Sequence, residues 1–156
     1  MIRVIGLGSP LGDDRVGLHL IHLLTGRLPE TVDLVALDRP GSTLINWMQG
    51  VEHLVLVDAL SSGATPGSLV RLTAEELADG NARLSSHEQS LAETLRLAEA
   101  LGALPATVEI FGIALGDCRG KELNRSVETA ATQLASHLVE RLGSRPPASP
   151  RDMPRP

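Results

Sequence analysis

Residues 2–24 read IRVIGLGSPLGDDRVGLHLIHLL. The first seven, Ile2 to Gly8, are short, rich in β-branched side chains and closed by glycine, as in a buried strand. From Asp14 to Leu24 the spacing becomes helical, with Val16, Leu20, Ile21 and Leu24 on one face. A strand that passes through a glycine-rich turn into a helix is the opening unit of an α/β domain, and the rest of the chain continues the alternation. Gly26 and Pro29 end the first helix. Val32 to Leu37 (VDLVAL) is a second strand, and Ser42 is placed to cap a helix holding Leu44, Ile45, Trp47 and Met48. His53 to Ala59 (HLVLVDA) reads as the central strand. After the turn marked by Gly63 and Pro66, Ser68 to Leu72 reads as an edge strand, and Thr73 with Glu76 forms a capping box for a short helix.

Ser86 to Leu101 is amphipathic, with Leu91, Leu95, Ala98 and Leu101 on one side. Thr107 to Leu115 (TVEIFGIAL) is a further buried strand, and Glu122 to Leu142 closes the domain as a long helix. Strands that are nearly continuous apolar runs, alternating with helices, predict an α/β three-layer sandwich: a twisted, mostly parallel five-stranded sheet with helices on both faces. The single domain spans residues 1–142. Residues 143–156, GSRPPASPRDMPRP, carry too much proline and too little apolar surface for a core and read as a Pro-rich disordered tail.

Composition narrows the function. With one Trp, one Phe and no Tyr, the core must be built from Leu, Val, Ile and Ala. A net charge of -5 and the lack of stacking rings argue against nucleic acid as a partner. Cys118 is the sole cysteine, which excludes an intramolecular disulfide and a thiolate-only zinc site. The first apolar run is too short for a secretory signal, and no stretch is long enough to span a bilayer. The expectation is a cytoplasmic protein with no membrane insertion.

Ligands of open α/β sheets bind beyond the carboxyl ends of the strands. There the sequence places Asp13 and Asp14 after the first strand, Asp38 and Arg39-Pro40-Gly41 after the second, and Asp58 after the third. His87 opens the helix that begins at Ser86. If the first and third strands run parallel, Asp58 faces the same crevice as the first loop. Asp13 is read as a cap of the first helix. His19, His22, His53 and His137 have no carboxylate at a useful spacing and read as helix-face or strand-start residues without a task. Two carboxylates and an imidazole in one crevice make a first-row metal site with open positions, able to polarise a carbonyl or activate water. Without a metal, two close carboxylates can share a proton, as in aspartic proteases. The residues alone leave both routes open. A dinucleotide site is disfavoured: Gly12 comes one position late for G-x-G-x-x-G, and the acidic pair would repel a pyrophosphate.

Three stretches resemble the NiFe-hydrogenase maturation endopeptidases. GLGSPLGDDRVG (Gly6 to Gly17) is similar to their glycine-rich loop with an acidic pair, LVLVDA (Leu54 to Ala59) to their third strand ending in Asp, and SSHEQSLAETLRLAEALG (Ser85 to Gly102) to their S-x-H helix start. The resemblance covers roughly Ile2 to Leu142 and is specific because all three motifs stand in register. It implies metal-contacting and catalytic roles for Asp14, Asp58 and His87, and substrate-binding roles for Asp38 and Gly41. It also implies a single cut near the C-terminus of the NiFe-hydrogenase large-subunit precursor after nickel insertion. The nickel would be carried by the substrate, with no organic cofactor. A non-catalytic metal-sensing chaperone using the same cleft is the alternative. Ser9 stands where the family usually has Asn, Arg15 where a small residue is common, and the stretch from Asp38 to Thr43 is one residue longer than the usual D-x-G-T. Gly116 to Lys121 also departs from the family pattern. The departures fall on the substrate-facing loops.

Overall fold

A computed structural model describes residues 1–9, 12–60, 64–78, 88–116 and 122–143. In chain order they form β1 (Ile2–Gly8), a 3-10 turn (Gly12–Arg15), α1 (Val16–Leu24), β2 (Val32–Asp38), a 3-10 helix (Gly41–Met48) and β3 (His53–Leu60). There follow β4 (Leu69–Leu72), α2 (Ala74–Ala78), α3 (Glu88–Ala100), β5 (Thr107–Ala114) and α4 (Arg125–Gly143). The five strands make one sheet in the order β2-β1-β3-β5-β4, parallel throughout except for β4, which runs antiparallel to β5 at the edge. The predicted mostly parallel sheet between helical layers is the observed architecture.

Side chains alternate across a strand, so each strand feeds two cores. Val55, Val57 and Ala59 of β3 join Val4 and Ile113 in the core beneath α1 and α4. Leu54, Leu56 and Leu60 join Ile5 and Ile110 in the core beneath the 3-10 helix, α2 and α3. Asp58 occupies the slot between Leu56 and Leu60 in that second row and is 3% exposed. On the first face, Val127, Ala130, Ala131, Leu134, Ala135, Leu138 and Leu142 form the buried stripe of α4. The glycines of the first motif bring α1 directly onto the sheet. A Cβ on Gly17 would lie 2.1 Å from the Leu7 carbonyl oxygen, and one on Gly6 would lie 2.0 Å from that of Gly17. Backbone meets backbone there, which only glycine allows.

Several local expectations change. The expected helix start at Asp14 is a 3-10 turn, and α1 begins at Val16 after Arg15, which makes no side-chain cap bond. Asp13 does not cap α1, because its carboxylate is drawn elsewhere in the fold, as described below. Ser42 lies inside the 3-10 helix rather than capping it, since that helix already starts at Gly41. Thr73 does cap α2, its Oγ1 accepting from the Glu76 N–H at 3.1 Å. The last helix starts at Arg125 rather than Glu122, and the Asn124 Oδ1 accepts from the Ser126 N–H at 2.9 Å to close its first turn. Gly143 ends α4. Residues 144–156, the bulk of the expected tail, lie outside the described residues, as do His87 and Cys118.

His53 also has a partner that sequence spacing did not show. Its Nε2 lies 2.6 Å from the Glu109 Oε1 on neighbouring β5. Glu109, 6% exposed, also accepts from Arg141 of α4 at 2.7 and 2.9 Å and pairs with Arg71 of β4 at 2.9 Å. This cluster around the buried Glu109 sits toward the amino ends of β3 and β5. The polar groups toward the opposite end have a different character.

Candidate active site

At the carboxyl end of β3, burial pushes the Asp58 carboxyl up to about 7, with the nearby Asp14 charge adding to the shift against a lowering hydrogen bond from the Ala59 N–H. That bond is 2.7 Å long and made to the Asp58 Oδ1. Asp14 stands in the 3-10 turn after β1, half-buried, with the Ser9 hydroxyl donating to its Oδ2 at 2.5 Å. The Ser9 N–H donates to the Asp14 carbonyl at 3.3 Å, so the loop folds back on itself. A Cβ on Gly8 would meet that carbonyl at 2.2 Å, so glycine is needed to let the loop lie this close. The first and third strands do run parallel, and the turn that carries Asp14 packs against β3, while Asp14 itself is not among the residues that line the crevice.

The crevice is a cavity of about 200 Å³. Leu7, Gly8 and Asp58 form its floor along the sheet. Arg39, Pro40, Gly41 and Leu44 form one wall, and Leu91 and Thr94 of α3 the other. Gly41 thus lines the cleft. Asp38 does not: it is half exposed, and Arg39 Nε donates to its Oδ1 at 2.9 Å. Arg39 has φ +45°, the sole positive φ at a non-glycine position among the described residues, and its N–H donates to the Gly8 carbonyl at 3.2 Å. This strained residue fixes the rim against β1.

Sequence reasoning missed Thr94, Arg39 and the task of Asp13. Thr94 is 5% exposed, and its signal was a polar residue inside the apolar stripe of Leu91, Leu95 and Ala98. Nothing in Arg39-Pro40 announces a left-handed residue, since a following proline favours extended backbone. Asp13 is fully buried. Its Oδ2 accepts from the Gly116 N–H at 2.8 Å and its Oδ1 from the Asn124 N–H at 2.6 Å. The acidic pair therefore splits: Asp13 turns inward to backbone amides, and Asp14 accepts from Ser9 while its charge acts on Asp58.

Two carboxylates beside one cleft suit a divalent cation or a shared proton. Among the described residues no three His, Cys, Asp or Glu side chains converge as a metal cage. The expected third ligand, His87, lies outside them.

Residues 18–141 match the hydrogenase maturation protease family, HycI. The chain belongs to that family. Among curated members of the hydrogenase maturation protease family and its relatives, it is 29% identical over 117 residues to the hydrogenase 2 maturation protease of Escherichia coli K12, covering 72% of this chain and 71% of that one. It is equally 29% identical over 117 residues to the hydrogenase expression/formation protein HoxM of Azotobacter vinelandii, covering 72% of this chain and 56% of that one. The match thus spans little more than half the length of the first such relatives. Its fold is similar to the hydrogenase maturating endopeptidase HybD of E. coli, with a TM-score of 0.75 and 25% identity over 90% of this chain and 93% of that one. The family resemblance read from the three motifs is borne out by these matches. No helix among the described residues is long and apolar enough to cross a membrane.

Proposed function

We propose that this chain is a cytoplasmic endopeptidase that removes the C-terminal extension of a nickel-loaded NiFe-hydrogenase large-subunit precursor. The observation that carries the reading is the buried Asp58 carboxyl, pushed up to about 7 beside Asp14 at the floor of a cleft, in a chain of the maturation protease family. Nickel enters as part of the substrate, with no organic cofactor. The ion would polarise the scissile carbonyl or activate water. Asp14 and Asp58 offer it carboxylate oxygens, and His87 an imidazole nitrogen. A cation favours the ionised form of a buried carboxylate, so a loaded precursor offsets the burial penalty of Asp58 and an unloaded one does not. Gly41, Arg39 and Thr94 line the cleft and are assigned to contact the substrate peptide, and Asp38, held by Arg39 at the rim, is assigned to substrate recognition. The acidic balance of the chain speaks against a nucleic-acid partner.

The test is an electrophoretic mobility assay with a large-subunit precursor, offered with and without nickel. A small mass loss that requires nickel supports the reading. Complex formation without shortening would replace it with the chaperone, and shortening regardless of nickel would refute the loading check.

A further inference from the structure

The two oxygens of Asp13 hold the backbone on either side of residues 117–121. One accepts from Gly116, just after β5, and the other from Asn124, just before α4. These partners lie 103 and 111 residues away in sequence. Asp13 itself has no solvent exposure and is joined by one peptide bond to Asp14. We infer that Asp13 is a positioning residue: by anchoring the glycine-rich loop to the backbone just before α4 and just after β5, it fixes where the turn carrying Asp14 sits against β3. This inference deepens the proposed function and rests on it for its kinetic consequence, though not for its geometric one.

The loop after β1 is short and has glycine at positions 8 and 12, the latter at φ +51°, so its own backbone sets the orientation of Asp14 only loosely. Within the loop, the bonds from Ser9 to Asp14 tie it to itself. The Asp13 carboxylate adds two charge-assisted bonds to a different part of the fold. A buried carboxylate that accepts two backbone amides from distant parts of the chain is restricted in its rotamer. Its neighbour then inherits that register. The same bonds couple the site loop to Gly116 and Asn124, on either side of residues 117–121.

The experiment uses the full chain with Asp13→Asn, which keeps the shape but sets an amide NH₂ against one of the two backbone donors. Gly116→Ala is the second variant. Its added carbon would lie 3.1 Å from the Asp13 Oδ2 and 2.8 Å from the Asn124 Nδ2, wedging the same junction without changing charge. Backbone amide exchange and processing kinetics are measured on folded protein. The expected result is faster exchange at Gly116 and Asn124 and also at Ser9, whose N–H reports the Asp14 carbonyl. In processing, kcat is expected to fall about 10- to 100-fold, the range for residues that orient a metal ligand, with KM within twofold. Wild-type exchange at Ser9, or wild-type kcat in a folded variant, overturns the inference. If Asp13→Asn does not fold, Gly116→Ala decides by the same two readouts. If the wild-type chain itself processes no precursor, the proposed function fails, and exchange at Ser9 still decides whether Asp13 positions the loop.

Discussion

Two buried carboxylates sit at opposite ends of the sheet and are treated in opposite ways. Toward the amino ends of β3 and β5, burial pushes the Glu109 carboxyl up, but hydrogen bonds from Arg141 and His53 and the charges of Arg141 and Arg71 outweigh it and hold the group below the usual range. At the carboxyl end, Asp58 accepts one backbone hydrogen bond among the described residues, and the charge acting on it is that of another acid, Asp14. The first arrangement joins β3, β4, β5 and α4 and stabilises the fold. The second is an ionisation held at a thermodynamic cost. A buried acid whose carboxyl is raised, with no counter-charge among the described residues, marks a place where the fold gives up stability for chemistry.

The sharpest way to break this contrast is Asp58→Asn. Processing is expected to fall more than about 100-fold, beyond the range for residues that only orient a ligand. Yet the metal-free protein is expected to become more stable at pH 8. The sign follows from the raised pKa. Below the unfolded value of 3.8 neither state ionises; between there and about 7 only the unfolded state does, so stability falls as pH rises, and the penalty is complete above 7. The gain from Asn is therefore absent at pH 3.5 and grows to at most about 4 kcal/mol at pH 8. Urea melts across that range are the measurement, and a variant less stable than wild type at pH 8 would sink the account.

Glu109→Ala is the mirror experiment. It strands Arg141, Arg71 and His53 and is expected to cost about 3 kcal/mol, the low end for a broken buried pair, because both arginines stay partly exposed. Processing per folded molecule should be unchanged, since the cluster is remote from the cleft. With a depressed pKa, the wild-type contribution is complete above the unfolded value of 4.5 and lost as pH falls through the folded one. The variant should accordingly lack that part of the acid transition. A loss below 1 kcal/mol would show the cluster to be ornamental.

The smallest effect is expected at the rim. Arg39→Gly removes a strained left-handed conformation, worth about 1 kcal/mol, but also the hold on Asp38. Stability should change by less than about 1 kcal/mol, while KM for the precursor rises. An unchanged KM would remove Arg39 and Asp38 from substrate recognition.

The strand and helix order was legible because it is written in local periodicity: LVLVDA needs no partner to read as a buried strand ending in an acid. Helix starts were less legible. Asp13, Ser42 and Glu122 all have capping or first-turn chemistry, but whether such a side chain caps its own helix depends on what else lies within reach. For Asp13 the nearer claim came from Gly116 and Asn124. Thr94 was hidden because one polar residue does not disturb an amphipathic pattern.

The sequence by itself determined the α/β order, the parallel core, the glycines that bring α1 onto β1 and the placing of Asp14 and Asp58 at strand ends. Only the tertiary structure decided what each buried acid does. Glu109 gains partners from residues 53, 71 and 141, Asp13 gains amides beyond β5, and Asp58, among the described residues, gains the Ala59 amide and the field of Asp14. Periodicity reports which side of an element faces inward. Desolvation and charge pairing depend on which other elements arrive there, and only the fold brings those together.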